Sequence, residues 1–418
     1  MVEEVVRWLI RGGSCKEEFG STCKGLPADN EYEGARYCVL HFPRVDKDLD
    51  EFKEAIEKKL KDKDFDFRGV YFPGNQSLAS FLPNDTFEGE ADFSDATFKG
   101  SAYFSHGVTF GEGAFFLSAT FKGEAFFSRA TFKGEASFRK VAFESEADFS
   151  DAIFKEVGKF WPLYRPSSQT FLSFRSAVIE KPERLSFHNA LLRPSWFIDV
   201  DAQKFDFSDV EWFRLPNGKK LPLEKEIEFL DELPRTSSGY EQQNPRSNLR
   251  ELQRACRKLM NNAEENRDYA TANEFHYWSM ELLRKEAMAL VLASEKGLRE
   301  AFLREALRRF GLIDALYWLL SGYGERPRRA FLVLVGMGTL FAILYVIVAG
   351  SIEHVGEAFL YSLAAMVRLT GVPAMAPLTK LLQPSEPGLF QILVTAEGIL
   401  GPLQIALLAL AVRRQVMR

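Results

Sequence analysis

The chain has 418 residues, of which 46% are hydrophobic and 27% are charged, and its formal net charge is −5. This length suits several domains, and the mildly acidic balance provides no basic surface for nucleic acid. The five histidines are scattered, and the sequence lacks phosphate-binding loops, dinucleotide fingerprints, nucleophile elbows and His-Glu-x-x-His motifs, so we do not expect an enzyme.

The amino-terminal segment, 1–62, contains a cluster of Cys15, Cys23, Cys38 and His41. Three thiolates and one imidazole complete a tetrahedral zinc set, and the Cys38-x-x-His41 step can present two ligands from one turn. The spacing of Cys15 and Cys23 is not that of a standard zinc finger, and the alternative is three unrelated reduced thiols. The opening residues are too short and too charged for a signal peptide. We therefore predict a structural zinc site in the cytoplasm.

A phenylalanine recurs every five or six residues from Phe87 to Phe154, usually with a small residue two positions before it. Residues two apart on an extended chain point to the same side, so the small residue and the ring both face inward. Such a unit cannot bury its apolar face alone and must stack on its neighbours. The alternating steps predict coils of about 22 residues, with an extra residue such as Gly100, Gly123 or Gly134 widening every other corner.

This pattern resembles the pentapeptide-repeat family, whose five-residue unit has a small residue at one inward position and Leu or Phe at the next. The resemblance implies a right-handed, quadrilateral β-helix, which we expect over residues 63–213, with irregular repeats after Phe160. Tyr103, Phe115 and Phe126 occupy outward positions, where they either stack between coils or dock a cytoplasmic protein partner. A β-helix is a scaffold, so the function has to come from other parts of the chain.

Residues 214–245 are polar and rich in turn residues, which predicts a linker loop. Residues 246–328 then show helical periodicity with a break near Asn261 and Asn262, and we predict a helical hairpin. The end of this region carries arginines among Leu, Phe and Trp. It is either an amphipathic helix on the inner membrane surface or one more packed helix.

Two apolar stretches in the last domain, 329–418, predict membrane spans at 329–350 and 388–412. The first carries no charge after Arg329, and the second carries only Glu397. Each can cross a hydrocarbon core of about 30 Å, whereas the alternative, a buried core helix, rarely runs so far without a polar face. Arginines precede the first span and follow the second. The positive-inside rule therefore predicts a multi-pass protein of the cell (inner or plasma) membrane with both termini in the cytoplasm.

The segment between the spans contains a short apolar stretch, about 355–368, that cannot cross a membrane. A helix that enters the membrane and turns back is tolerated where it packs against protein or lines a water-filled cavity. The order of span, short helix, return loop and span resembles a two-span potassium-channel pore, and its joining to pentapeptide repeats resembles a recurring bacterial and archaeal arrangement. Similar amino-terminal Cys and His clusters occur in proteins of this type, so the resemblance also implies zinc.

The filter of this pore departs from the potassium-channel pattern. Potassium channels line the filter with backbone carbonyls of a Thr-Val-Gly-Tyr-Gly stretch. The corresponding residues here are Arg368, Leu369, Thr370, Gly371 and Val372. One glycine remains where two are needed, the tyrosine is missing, and an arginine ends the short helix. The sequence therefore predicts a pore that does not select potassium, or a closed membrane anchor derived from a channel.

Glu397, Gly398, Gly401 and Pro402 form a second group of candidate pore residues. Charges within a membrane are costly and usually face a partner or water. Glu397 therefore either braces the pore loop, with Arg368 as its partner, or joins subunits while Arg368 reaches the outer surface. The two glycines and the proline permit either a gating bend or close helix packing.

Two functions remain. The first is an oligomeric membrane ion channel or pore with a cytoplasmic β-helix; because one hairpin cannot enclose a pathway, the resemblance implies a homotetramer. The second is a non-conducting, membrane-anchored scaffold for protein interactions. Mimicry of DNA, as in gyrase-protecting pentapeptide proteins, is disfavoured by the membrane spans and by the lack of a uniformly acidic rod. We expect membrane lipid and further copies of the chain as partners, and no nucleic acid.

Overall fold

The computed structural model of the protein describes residues 15, 20–23, 26–78, 82–161, 172–214, 218–232, 245–292, 311–349, 355–367 and 387–416. The chain forms two compact units, Met1–Asn262 and Ala263–Arg418.

Short strands, most of them two residues long, build the first unit. The first two strands form an antiparallel hairpin, whereas the others pair in parallel. The strands are β1 (Asn30–Tyr32), β2 (Ala35–Tyr37), β3 (Tyr71–Phe72), β4 (Thr86–Phe87), β5 (Ala91–Asp92), β6 (Thr97–Phe98), β7 (Ala102–Tyr103), β8 (Thr109–Phe110), β9 (Ala114–Phe115), β10 (Thr120–Phe121), β11 (Ala125–Phe126), β12 (Thr131–Phe132), β13 (Ala136–Ser137), β14 (Ala142–Phe143), β15 (Ala147–Asp148), β16 (Ile153–Phe154), β17 (Gly158–Phe160), β18 (Leu172–Ser173), β19 (Val178–Ile179), β20 (Leu185–His188) and β21 (Asp206–Ser208).

Four parallel sheets run along this unit, in the strand orders β3-β6-β10-β14, β7-β11-β15-β18, β4-β8-β12-β16-β19 and β5-β9-β13-β17-β20-β21. Thr120 pairs with Thr97 on one side and with Ala142 on the other, so neighbouring strands of the central coils are 22 or 23 residues apart. This confirms the coil length predicted from the phenylalanine steps. The unit is a β-solenoid of about five turns, and the right-handed sense of its coil stays a prediction.

Columns of phenylalanine rings fill the solenoid. In one column the centroids of Phe72, Phe98, Phe121 and Phe143 are 4.5, 4.6 and 5.3 Å apart. These rings are at most 7% exposed, and the small residues that precede them by two positions, Val70, Ala96, Ala119 and Val141, are also buried. Burial contributes roughly 1.5–3 kcal/mol per ring. The inward pair of a small residue and a ring is therefore confirmed.

The corners of the coils use two kinds of residue. Asp95, Ser118 and Lys140 adopt a left-handed backbone, with φ of 59°, 58° and 56°. Glycine has another role: a Cβ at Gly123 would lie 2.5 Å from the carbonyl carbon of Gly100 in the preceding coil. We predicted that these glycines widen the corner, whereas the structure shows that they allow two backbones to approach closely.

Helices flank the solenoid and form most of the second unit. They are α1 (Gly20–Cys23), α2 (Leu49–Lys61), α3 (Leu223–Glu232), α4 (Pro245–Glu265), α5 (Tyr269–Leu292), α6 (Leu312–Ser321), α7 (Pro327–Ala349), α8 (Val355–Met366) and α9 (Pro387–Val416). The carboxylate of Asp48 accepts hydrogen bonds from the first backbone N–H groups of α2. The buried face of α2 then sets Phe52 edge-on against Phe72, with centroids 5.9 Å apart.

The predicted linker loop at 214–245 contains a helix, α3. Leu223 and Leu230 are buried, and the carboxylate of Glu226, which is fully buried, accepts a hydrogen bond of 3.0 Å from the backbone N–H of Ser195. The polar composition of this segment concealed the helix, because only a few of its side chains pack on the solenoid.

The break predicted near Asn261 and Asn262 lies farther along the chain, since α4 continues to Glu265. The side-chain amide of Asn262 donates hydrogen bonds to the backbone carbonyls of Ala202, Gln203 and Phe205, at 3.2, 2.9 and 2.8 Å. The asparagine thus satisfies solenoid carbonyls and does not end the helix.

In the second unit α7, α8 and α9 pack together. Tyr345, Tyr361 and Phe390, one from each helix, have ring centroids 5.2–5.7 Å apart. Both α7 and α9 are long and apolar enough to cross a membrane, and α8 is a shorter apolar helix. These three helices match the predicted order of span, short helix and span.

Candidate functional site

The four predicted zinc ligands come together in the structure. The Nδ1 atom of His41 lies 3.1, 3.2 and 3.8 Å from the Sγ atoms of Cys38, Cys23 and Cys15. The Sγ atoms of Cys23 and Cys38 are 3.3 Å apart, and all four ligand atoms lie within 4.8 Å of one another. All four residues are buried.

This geometry fits a tetrahedral metal ion. Bonds of about 2.3 Å to sulfur and about 2.0–2.1 Å to nitrogen separate tetrahedral ligands by about 3.6–3.8 Å, and the distances of 3.1–3.8 Å given above are within about 0.5 Å of these values. The Nε2 atom of His41 donates to the carbonyl of Arg68 at 2.9 Å, which leaves the Nδ1 lone pair facing the thiols. The backbone N–H of Cys38 approaches the Sγ of Cys15 at 3.4 Å. The cluster could therefore bind a metal ion through three thiolates and one imidazole.

The three thiols and the imidazole of the cluster change one another's pKa values, because they lie within hydrogen-bonding distance. Hydrogen bonds from Cys23 and Cys38 lower the pKa of the Cys15 thiol, while contacts with Cys15 and Cys38 raise that of Cys23. Burial acts to lower the pKa of His41, but its contacts with the thiols and with the Arg68 carbonyl outweigh burial and raise it to about 9. A metal ion bound here would replace these protons, so we expect tighter binding at higher pH.

Lys47 supports the turn that carries two of these ligands. Its Nζ atom donates to the carbonyls of Val39, Leu40 and Tyr71, at 2.7, 3.2 and 2.8 Å. It also lies 4.7 Å from the ring centroid of Phe52. Burial lowers the pKa of Lys47 to about 7, whereas three carbonyl acceptors and the ring favour its charged form. The sequence did not reveal this lysine, because its neighbours become evident only after folding.

A second group of candidate residues lies among α7, α8 and α9. Glu397 is fully buried, and its Oε2 atom accepts a hydrogen bond of 2.6 Å from the hydroxyl of Tyr345. The hydroxyl of Ser362 on α8 contacts the other carboxylate oxygen and also the carbonyl of Gly338, the latter at 3.0 Å. Glu397 therefore joins all three helices, and one of its contacts is with the short helix.

The glycines of α9 differ in their surroundings. A Cβ at Gly401 would lie 2.6 Å from the Cα of Met366 on α8, whereas a Cβ at Gly398 would have no heavy atom of the described residues within 4 Å. Close packing therefore explains Gly401. The helix continues through Pro402. A gating bend at Gly398 and Pro402 stays a prediction.

The predicted filter residues, Arg368, Leu369, Thr370, Gly371 and Val372, lie outside the described residues, as does any contact between Arg368 and Glu397. Sequence reasoning missed Tyr345, Ser362 and Gln404. The side-chain amide of Gln404 donates to the carbonyls of Leu320 and Ala330, at 3.0 and 2.8 Å. A search for polar side chains inside the apolar runs could have found all three.

The outward aromatics of the solenoid separate into two groups. Tyr103 and Phe126 stack with ring centroids 5.2 Å apart, and Tyr103 is 37% exposed. Phe115 lies on a different sheet, where its strand neighbours are Asp92 and Ser137. The predicted stack between neighbouring coils is thus confirmed for Tyr103 and Phe126.

A family model described as pentapeptide repeats (9 copies) matches residues 106–153. These residues run through β8 to β16, the central coils of the solenoid. Comparison with curated proteins and with solved structures gave no match.

Proposed function

We propose that this protein is an oligomeric membrane pore with a cytoplasmic, right-handed pentapeptide-repeat β-helix. The supporting observation is the packing of α8. This helix is too short to cross a membrane, yet it lies against both long apolar helices and contacts the buried carboxylate of Glu397 through Ser362. Simple membrane anchoring does not require such a helix, whereas a pore uses one to support its filter.

The proposal requires lipid around α7 and α9. Leu332 and Ile347 on α7 and Ile392 on α9 are 68%, 67% and 65% exposed. The core helix of a soluble protein buries such residues, so these faces are suited to lipid or to further copies of the chain. The arginines beside both helices favour a multi-pass arrangement with cytoplasmic termini.

Several finer parts of the proposal depend on the resemblance to channel pores. One hairpin cannot enclose a pathway, so further copies are needed, and a homotetramer is the arrangement that the resemblance implies. The departures at Arg368 to Val372 favour a pore without potassium selectivity. The Cys15, Cys23, Cys38 and His41 cluster holds structural zinc. The protein has no enzymatic role in this proposal.

Recording from purified protein in planar bilayers tests the pore. We expect unitary currents from the native oligomer with little preference for potassium over sodium. Absence of conductance in an intact oligomer, across voltage, salt and membrane tension, would contradict the proposal.

The substitution Glu397→Gln tests the contact with α8. The carboxylate accepts from Tyr345 and Ser362, whereas the amide of glutamine has only one accepting atom, so we expect lower conductance or a less stable oligomer. Tyr345→Phe and Ser362→Ala should have smaller effects in the same direction. Native currents and native assembly in all three variants would remove Glu397 from the mechanism.

The alternative is a membrane-anchored scaffold that does not conduct. The stack of exposed Tyr103 on half-buried Phe126 favours it, because an outward aromatic pair on a rigid solenoid suits a protein partner. A silent but correctly assembled oligomer would favour this function.

A further inference from the structure

The amino-terminal end of the solenoid presents a strand edge that needs cover. The strand β3 pairs on one side with β6, where the N–H groups of Thr97 and Lys99 donate to the carbonyls of Val70 and Phe72, both at 2.9 Å. β3 is the last strand of its sheet on the other side. Unpaired strand edges promote pairing with other chains, and folded proteins usually block them.

The turn that carries Cys38 and His41 blocks this edge. The backbone N–H of Tyr71 donates to the carbonyl of Leu40 at 3.0 Å. The carbonyl of Tyr71 accepts from Lys47, which also donates to Val39 and Leu40 within the turn. His41 adds its hydrogen bond to the carbonyl of Arg68. The outward backbone groups of Tyr71 are thus both satisfied by the ligand-bearing segment.

The helix that carries Cys23 reaches the same coil by a different route. The hydroxyl of Thr22 donates to the carboxylate of Asp66 at 3.2 Å. Lys59 of α2 donates to the carbonyl of Thr22 at 3.1 Å and to Asp64 at 2.6 Å, and the side chains of Lys59 and Asp64 are only 8% exposed. Two separate segments therefore bring metal ligands to residues 65–78, which belong to the first coil.

From these contacts we infer that a metal ion bound at the Cys15, Cys23, Cys38 and His41 cluster fastens an amino-terminal cap over the first coil. The cap comprises α1, the 38–47 segment and α2. Metal binding and closure of the first coil are then one coupled equilibrium, because the ion links the segment that covers β3 to the helix that is tied to Asp66. This inference rests on the metal binding proposed above. The central coils are held by their own ring columns and do not take part.

Hydrogen exchange of the full-length protein in detergent, measured by mass spectrometry, tests the coupling. Zinc-loaded protein should hold about one ion per chain. After removal of the ion by a chelator, we expect exchange in residues 65–78 to accelerate at least about tenfold, while residues 119–143 keep their protection. Zinc should restore the slow exchange. Loss of the ion with unchanged exchange in 65–78 would overturn the coupling and leave the metal site intact.

Three variants separate the metal site from the coupling. Cys38→Ser removes a ligand and should exchange like the chelated protein, whereas Cys256→Ala removes a buried thiol in α4 and should behave like the native protein. Lys47→Met should still bind zinc, but its first coil should exchange fast with or without the ion. If the folded native protein binds no zinc, both the metal site and the inference are wrong. If Lys47→Met keeps native protection, the coupling does not pass through this lysine and the inference is wrong.

Discussion

At the scale of single residues, Glu146 is the carboxylate that the solenoid accommodates least well. Its Oε1 atom is buried and has no hydrogen-bond partner within the described part of the chain. Burial, and then the charges of Asp148 and Glu124, raise the pKa of Glu146 to about 7. An unfolded chain has a glutamate pKa of about 4.3. The folded state therefore binds more protons between these values, and the free energy of unfolding falls as the pH rises through this window.

We expect Glu146→Gln to stabilise the solenoid at pH 8, where the native carboxylate is charged. The gain is at most about 3 kcal/mol, and nearer 1 kcal/mol because the side chain is partly exposed. The gain should be largely lost near pH 4.5. Thermal unfolding followed by circular dichroism at both pH values measures the difference. Glu144→Gln, an exposed position two residues earlier, is the matched control. An equal effect of Glu146→Gln at both pH values would contradict the raised pKa.

The residues predicted from sequence were those whose chemistry is rare. Cysteine and histidine close together in the chain indicate a metal site before any fold is known, and the structure brings Cys15, Cys23, Cys38 and His41 together. Lys47 and Ser362 belong to common residue types, and their roles depend on which carbonyls and carboxylates the fold places beside them. Such roles cannot be predicted from spacing alone.

At the scale of elements, successive coils approach so closely at one corner that only glycine fits there. A Cβ at Gly123 would meet the backbone of Gly100, whereas a Cβ at Gly74, at the end of the same corner column, would have no heavy atom within 4 Å. We expect Gly123→Ala to destabilise the solenoid by about 1–3 kcal/mol, because the backbone has to shift. Gly74→Ala should change stability by no more than about 0.5 kcal/mol. Denaturant titration of both variants makes the comparison, and equal stabilities would show that the coils can separate at little cost.

Two glycines of α9, Gly401 and Gly398, allow a similar comparison. We expect Gly401→Ala to push α8 away from α9, because the added methyl group would lie 2.6 Å from the Cα of Met366. Gly398→Ala adds the same methyl group at a point with no heavy atom of the described residues within 4 Å. The first variant should therefore melt at a lower temperature in detergent, and the second should melt like the native protein. A loss of stability only in Gly398→Ala would mean that α8 packs elsewhere.

Elements with a strict period were predicted well. The phenylalanine steps indicated the coil length and the inward faces, because the central coils repeat the same inward pattern of a small residue and a ring. The helix α3 was missed because Leu223 and Leu230 are its few buried apolar residues in a polar segment. The end of α4 was misplaced because Asn262, usually a breaker, finds three carbonyl acceptors on the solenoid.

At the scale of the whole molecule, the main expectation is membrane insertion. Exposed apolar side chains on α7 and α9 predict that the protein stays in the membrane pellet after washing with alkaline carbonate. Protease added to the cytoplasmic face should digest the solenoid, and protease added to the outer face should spare it. Release of the protein by carbonate would contradict the predicted membrane spans. Digestion of the solenoid from the outer face would contradict the predicted orientation.

The architecture as a whole was predictable only in part. Repeats and apolar runs indicate a solenoid and candidate spans because both depend on composition along one segment. Subunit number and the proposed conduction would depend on contacts between chains, which no pattern within one chain determines.

Thr97, Thr120 and Ala142 occupy equivalent places in successive central coils, where each strand pairs with the next in the same parallel register. The rod is therefore modular: duplication or deletion of one complete coil would alter its reach by about 4.8 Å and preserve every lateral contact. The length of the solenoid can therefore change in steps of one coil while the fold stays the same.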